Sequence, residues 1–202
     1  GLTKGQFSPT SEIGMKTKPS PAGTVVQPFR TLSLALGAEA TFVARAIDTE
    51  VQHLQEMISR MAVHKGTAFV EIYQNCSVFN DGAFDELKDR KTKADHLLVL
   101  EHGKPLVFGK SGDACVKLDT ARMRLYVGKL GEKDGGVEVV HDESNPDPAL
   151  AMLLARCRPP EFPTPIGVLR AVSTPTFEDQ SLAQKNAELA SRGEGSLEQL
   201  LY

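Results

Sequence analysis

From Thr41 to Cys76 the chain reads strand, helix, strand with almost no connecting residues, and that order leaves few folds open. Thr41-Phe42-Val43-Ala44-Arg45-Ala46 has the β-branched and aromatic bias of a strand. Asp48 or Thr49 is placed to cap a helix in which Val51, Leu54, Met57, Ile58 and Met61 recur at helical spacing. His64-Lys65-Gly66 ends it, and Thr67 to Gln74 follows with Phe69, Val70, Ile72 and Tyr73. Short connections of this kind make a βαβ unit: parallel neighbours at 41–46 and 67–74, joined by a right-handed crossover helix over about 49–64. The second strand does not alternate cleanly, which suits a strand covered on both faces. Cys76 falls just past its carboxyl end, where open parallel sheets gather chemistry. A lone thiol there is either a small core residue or a functional one.

The flanks are less regular. Residues 1–31 hold loop chemistry: Gly1-Leu2-Thr3-Lys4-Gly5-Gln6, then Ser8-Pro9-Thr10-Ser11 and Lys16-Thr17-Lys18-Pro19-Ser20-Pro21. Such a stretch is either a mobile linker or a segment whose hydroxyls and glycines meet an anion. Leu32 to Leu36 reads as a short helix ended by Gly37. Phe84 to Asp89 is a second short helix, and Arg90-Lys91-Thr92-Lys93 a solvated charge run. Beyond it, Leu97–Glu101, Leu106–Phe108, Val116–Leu118, Leu125–Val127 and Val137–Val140 read as short strands of one small antiparallel element. Pro148–Arg156 reads as a helix, the prolines from Pro159 to Pro165 as an extended connection, Glu178 to Ala190 as a moderately amphipathic helix and Ser196–Leu201 as a last turn. The end past Pro159 carries too little apolar surface to bury itself, so it is expected to wrap another chain or the parent domain. The fold class is α/β with two parts, 1–92 and 93–202, and an extended helical carboxyl-terminal tail.

A net charge of -3 suggests neither a nucleic-acid nor a membrane surface. No apolar run approaches the roughly 18 residues of a membrane helix. Cys76, Cys115 and Cys157 are odd in number and far apart, which favours a reducing, cytoplasmic setting over a disulfide framework. Three short motifs carry little. Gly109-Lys110-Ser111 imitates the end of a phosphate loop, but five residues rather than four separate Gly103 from Gly109, Pro105 intervenes and no helix follows. His141-Asp142-Glu143 are adjacent and do not share a face, so a loop explains them. Cys157, between two arginines and before two prolines, reads as incidental.

Several stretches together resemble one family. Gly1-Leu2-Thr3-Lys4-Gly5-Gln6 with Ser8-Pro9-Thr10-Ser11, Gly37-Ala38 to Arg45, His64 to Ile72, Gln74-Asn75-Cys76 with Phe79-Asn80-Asp81-Gly82, Leu100 to Leu106, and Pro163 to Val168 are similar to the beta subunits of 2-oxoacid:ferredoxin oxidoreductases, above all the 2-oxoglutarate type. The resemblance implies part of a thiamine-diphosphate-binding fold that works with an alpha subunit. It implies oxidative decarboxylation of a 2-oxoacid, with electrons passing through an iron–sulfur cluster to ferredoxin and coenzyme A accepting the acyl group. Carried over, it gives Leu2 and Thr3 to the cofactor, Lys4 to the substrate, and Cys76 to a 4Fe–4S cluster as its fourth ligand. The family's other cluster cysteines and its Gly-Asp-Gly segment for Mg2+ have no counterpart here, so the chain reads as the carboxyl-terminal part of a longer subunit that would hold neither cofactor nor cluster alone. Pyruvate or a branched-chain 2-oxoacid as substrate, or a non-catalytic α/β interaction module, are the alternatives. A cation at Lys4 suits a dicarboxylate better than either monocarboxylate.

Overall fold

A computed structural model describes residues 5–198 of the chain. Its centre is the βαβ unit. Strand β1 (Phe42–Ile47) pairs in parallel with β2 (Ala68–Tyr73), and helix α2 (Val51–Val63) crosses between them after the short helix α1 (Thr31–Gly37). The register sets Arg45 beside Glu71 and Ile47 beside Tyr73. Side chains of β1 alternate as a pleated strand requires. Phe42, Ala44 and Ala46 pack with Met57 of α2 on one face, and Val43 joins Leu32 and Leu36 of α1 on the other. The cap of α2 differs from the expected one: Glu50 is the capping position and its side chain accepts no N–H of the first turn, while Asp48 instead accepts the Asn75 N–H at 3.3 Å, tying the end of β1 to the loop after β2.

Two short helices, α3 (Asp85–Lys88) and α4 (Lys93–His96), lead to β3 (Leu97–Val99). The small antiparallel sheet is then built from β4 (Val107–Phe108), β5 (Ala114–Asp119), β6 (Arg124–Lys129) and β7 (Val137–Glu138), with β5 central and bonded to the other three. Buried Lys117 of β5 donates to the Glu132 carbonyl at 2.6 Å and to Asp134 at 3.2 Å, which holds the 130–136 turn over the sheet. The turn at Gly109–Gly112 runs into a strand and not a helix, as its weak match to a phosphate loop implied. His141, Asp142 and Glu143 also part company: His141 Nε2 donates to the Val168 carbonyl at 2.7 Å, Asp142 accepts from Ser144, and Glu143 binds Arg60.

Two expectations are corrected. Leu97–Glu101 leaves the small sheet, because β3 pairs in parallel with β8 (Thr164–Ala171) of the main one. And β8 is no surface wrap. It lies between β1 and β3 in the order β2-β1-β8-β3, antiparallel to β1, with Thr164 through Arg170 all buried. Pro163 and Pro165 hide it in the sequence. A proline lacks the N–H a ladder uses, yet here the Pro165 carbonyl still works, accepting from Arg45 Nη1 at 3.3 Å. Helix α5 (Ala149–Ala155) packs against α1, burying Ala151 and Leu154 in the same core as Leu98, Leu106, Val116 and Leu169. That core fuses the two sheets. Helix α6 (Phe177–Arg192) follows, capped by Thr176, which accepts the Asp179 N–H, and it buries none of its residues.

Candidate functional site

At the carboxyl end of β1 and β2 lies a cavity of about 770 Å³. Its floor is the rise of the two strands: Arg45 from β1, and Glu71, Tyr73 and Gln74 from β2 and just beyond. Its walls are the segment from Ser8 to Leu32, the loop around Cys76 and Asn80, Phe84, and the end of α5 with Cys157 and Arg158. This is the place an open parallel sheet offers for chemistry.

The floor is a built network. Arg45 is 5% exposed, and its Nε donates to Glu71 at 2.6 Å. Its guanidinium also lies 4.9 Å from the Tyr73 ring centroid, and Tyr73 stacks on Phe84. Thr31 at the start of α1 donates its hydroxyl to the other Glu71 oxygen. A buried ion pair stands only when its remaining polar atoms are satisfied, and here a hydroxyl, a carbonyl and an aromatic face supply that. Burial raises the Tyr73 phenol above its ordinary value. Sequence reading passed over Arg45 and Glu71. The signal that finds them is opposite charges inside two apolar strands whose parallel register places them side by side.

The two cysteines in the cavity differ. Cys157 is 3% exposed, and burial pushes its thiol up to about 12; its S–H points at the Leu153 carbonyl, 3.6 Å away. Cys76 is half-buried, and the backbone N–H groups of Phe79 and Val78 lower its thiol below the ordinary value by favouring the thiolate. Its loop is fixed on both sides: the Asn80 N–H donates to the Cys76 carbonyl at 2.9 Å, and Asn75 bonds Asp81 and the Gly82 N–H. So the structure puts Cys76 where the sequence did, just beyond a strand end, and adds that Cys157 shares its cavity. Leu2, Thr3 and Lys4 lie outside the described residues. The described part of their segment begins at buried Gly5, in the left-handed region at φ 78°, where a Cβ would come within 3.2 Å of the Phe79 ring. From there to Arg30 only Thr24 is buried. Among the described residues no three His, Cys, Asp or Glu side chains group to hold a metal ion, and no helix is long and apolar enough to cross a membrane.

Comparisons with known proteins agree on one kind of relative. The chain is 42% identical over its whole length to the 2-oxoglutarate oxidoreductase subunit KorB of Mycobacterium tuberculosis, covering 54% of that protein. It is 31% identical to the 2-oxoglutarate synthase subunit KorB of Archaeoglobus fulgidus over 66% of this chain and 52% of that one. A 2-oxoacid:ferredoxin oxidoreductase subunit beta from Saccharolobus solfataricus is 40% identical over 45% of this chain and 30% of its own. The chain thus spans about half the length of the longest-matching curated relatives. No protein-family model matches it. Among solved structures, a 2-oxoglutarate:ferredoxin oxidoreductase from Magnetococcus marinus, with 2-oxoglutarate, coenzyme A and succinyl-CoA bound, shares the fold at a TM-score of 0.61 and 24% identity, over 97% of this chain and 51% of that one. The chain is, along its whole length, a relative of the beta subunits of 2-oxoacid:ferredoxin oxidoreductases, and of the 2-oxoglutarate oxidoreductase type among them.

Proposed function

We propose that this chain is part of a beta subunit that, with an alpha subunit, oxidatively decarboxylates a 2-oxoacid, 2-oxoglutarate first among them, to the acyl-CoA while reducing ferredoxin. The observation that carries the reading is the 42% identity to a KorB subunit in a match that covers the whole chain. Thiamine diphosphate, when bound, supplies the carbanion chemistry that decarboxylation of a 2-oxoacid needs. The residues assigned to it, Leu2 and Thr3, precede in sequence a wall that presents Ser8, Thr10 and Ser11 to the cavity, and hydroxyls there suit an anionic cofactor.

Cys76 fits a 4Fe–4S cluster as one ligand of a larger set. Clusters take thiolate, and the amides of Phe79 and Val78 already favour that form. Among the described residues no three His, Cys, Asp or Glu side chains gather to complete such a set. At Cys157, in contrast, burial disfavours the thiolate. Arg45, held by Glu71, keeps a fixed positive edge on the cavity floor, and Tyr73 and Phe84 narrow the cavity beside it.

The test is the complete subunit with its alpha partner, assayed for ferredoxin reduction driven by 2-oxoglutarate, pyruvate and a branched-chain 2-oxoacid in the presence of coenzyme A. Activity with 2-oxoglutarate foremost supports the reading. Preference for a monocarboxylate moves the substrate, and no reduction with any 2-oxoacid leaves an interaction module. In that enzyme Cys76→Ser should lower cluster content and ferredoxin reduction together while thiamine diphosphate still binds; unchanged cluster absorbance would make Cys76 a core thiol. Lys4→Ala should cut catalytic efficiency for 2-oxoglutarate by about 10- to 150-fold, the worth of a charge-assisted hydrogen bond, and for a monocarboxylate far less.

A further inference from the structure

The mouth of the cavity holds more positive charge than its own carboxylates balance. Among its described lining residues Arg30, Arg45, Arg156 and Arg158 face Glu12 and Glu71. Arg45 and Glu71 are paired with each other on the floor. Glu12 is shared, at 3.2 Å from Arg158 and 4.0 Å from Arg30. Arg156 has no carboxylate or hydrogen-bond partner for its guanidinium among the described residues. Its backbone, in contrast, is fixed: it closes α5, its N–H bonded to the Leu153 carbonyl at 3.2 Å and the next N–H, that of Cys157, to the Leu154 carbonyl at 3.1 Å. A held backbone with a free planar fork is an arrangement suited to a carboxylate or a phosphate.

We propose that Arg156, Arg158 and Arg30 form an anion-recognition rim for a carboxylate or phosphate group of a substrate entering this cavity, and that Glu12 is a built-in competitor which that group displaces. The site itself stands on geometry, and only the identity of the substrate rests on the function proposed above. Glu12 suits the role. Its side chain is 67% exposed, and the Arg158 side chain is 49% exposed. Solvated pairs of this kind are weak, so a ligand that engages two guanidinium groups at once displaces a single carboxylate readily. Glu12 also sits on the thinly packed segment that forms one wall, so its exchange needs no change in the sheet.

The two sources of the anion are told apart by probes that do not turn over: succinate for the carboxylate, inorganic pyrophosphate for the phosphate. Each is titrated by calorimetry into the complete enzyme with its partner subunit, saturated with thiamine diphosphate. Arg156→Gln and Arg158→Gln should each weaken at least one probe by about tenfold, the loss of one charge-assisted contact. Arg156→Lys should recover part of it. Glu12→Gln should tighten the same probe by roughly two- to fivefold, since a weak competing pair is gone, a gain that a structural role for Glu12 would not give. In turnover, KM rises for the 2-oxoacid if succinate is the probe affected, and for coenzyme A if pyrophosphate is. Unchanged binding of both probes by the two glutamine variants, or weaker binding by Glu12→Gln, overturns the rim. An enzyme that turns over no 2-oxoacid overturns the function instead, and the probe titrations still decide the rim.

Discussion

Strand β8 and helix α6 are near neighbours in sequence and opposites in structure. Every residue of β8 from Thr164 to Arg170 is buried, whereas α6 has none buried and leaves Phe177 80% and Leu182 58% exposed. Composition already favours β8, but Pro165 and Gly167 interrupt its pattern, whereas the longer element has the cleaner period. The difference teaches that burial here is set by partners far away in the chain. Strand β8 has β1 on one side and β3 on the other, and Val168 and Leu169 point into the cores on its two faces. Helix α6 has a good cap and no packing surface to meet. Most helical stability comes from packing rather than propensity, so α6 is ordered by its own hydrogen bonds.

The largest effect that could break this contrast is in β8. Leu169→Ala removes a fully packed side chain and should cost about 2–5 kcal/mol by urea unfolding of the chain. Gly167 should be nearly as sensitive: it lies at φ 113°, and a Cβ would sit 2.8 Å from the Leu100 carbonyl oxygen, so Gly167→Ala carries both strain and a clash, on the order of 1–3 kcal/mol. A midpoint within error of wild type for either would mean that β8 is not the centre of the sheet.

A pH titration sharpens the comparison, because buried His141 ties the loop after β7 to the Val168 carbonyl of β8. Burial lowers its imidazole below the ordinary value. The folded chain therefore binds this proton later than the unfolded chain does as pH falls. Stability should be level above about pH 6.5 and decline below it, with a slope of up to about 1.4 kcal/mol per pH unit for one such proton. His53 and His64, lowered in the same sense by burial, add to the decline. His141→Gln should flatten part of that slope; an unchanged slope would assign it to the other two.

The smallest effects belong to α6. Leu182→Ala should change the unfolding midpoint by less than about 0.5 kcal/mol. Thr176→Ala should lower helicity by circular dichroism, at about 1 kcal/mol for a lost cap, without moving the main transition. A Leu182→Ala cost as large as that of Leu169→Ala would erase the contrast.

What was readable in the sequence follows the same line. The βαβ unit was legible, since Val51 to Met61 and the strand to Gln74 announce themselves within a short window. The antiparallel pairs of β5 with β6 were legible from short strands and glycine turns. Strand β8 was not, because Pro165 and Gly167 break the pattern and its partners lie far off; Arg45 and Pro165 touch across 120 residues. In the site, Cys76 could be placed from the end of a strand. Arg45 with Glu71 could not, since a charge in a strand ordinarily marks a solvent face, and only the register shows the two paired. Arg156 escaped for another reason: nothing local separates a free guanidinium on a cavity rim from one in bulk water. Leu2, Thr3 and Lys4 were legible by resemblance alone, and they lie outside the described residues.

The order β2-β1-β8-β3 also governs how the chain comes together in time. The β1–β2 pair closes over a local loop and can form early. Strands β1 and β3, by contrast, have no bonded neighbour between them until β8 arrives from more than 100 residues downstream of β1, and distant pairings of this sort are slow. Until then each presents an open apolar edge, the kind that recruits other chains. During synthesis the sheet stays an unclosed half until the ribosome has released residues 164–171, which makes that interval the one in which aggregation competes with folding.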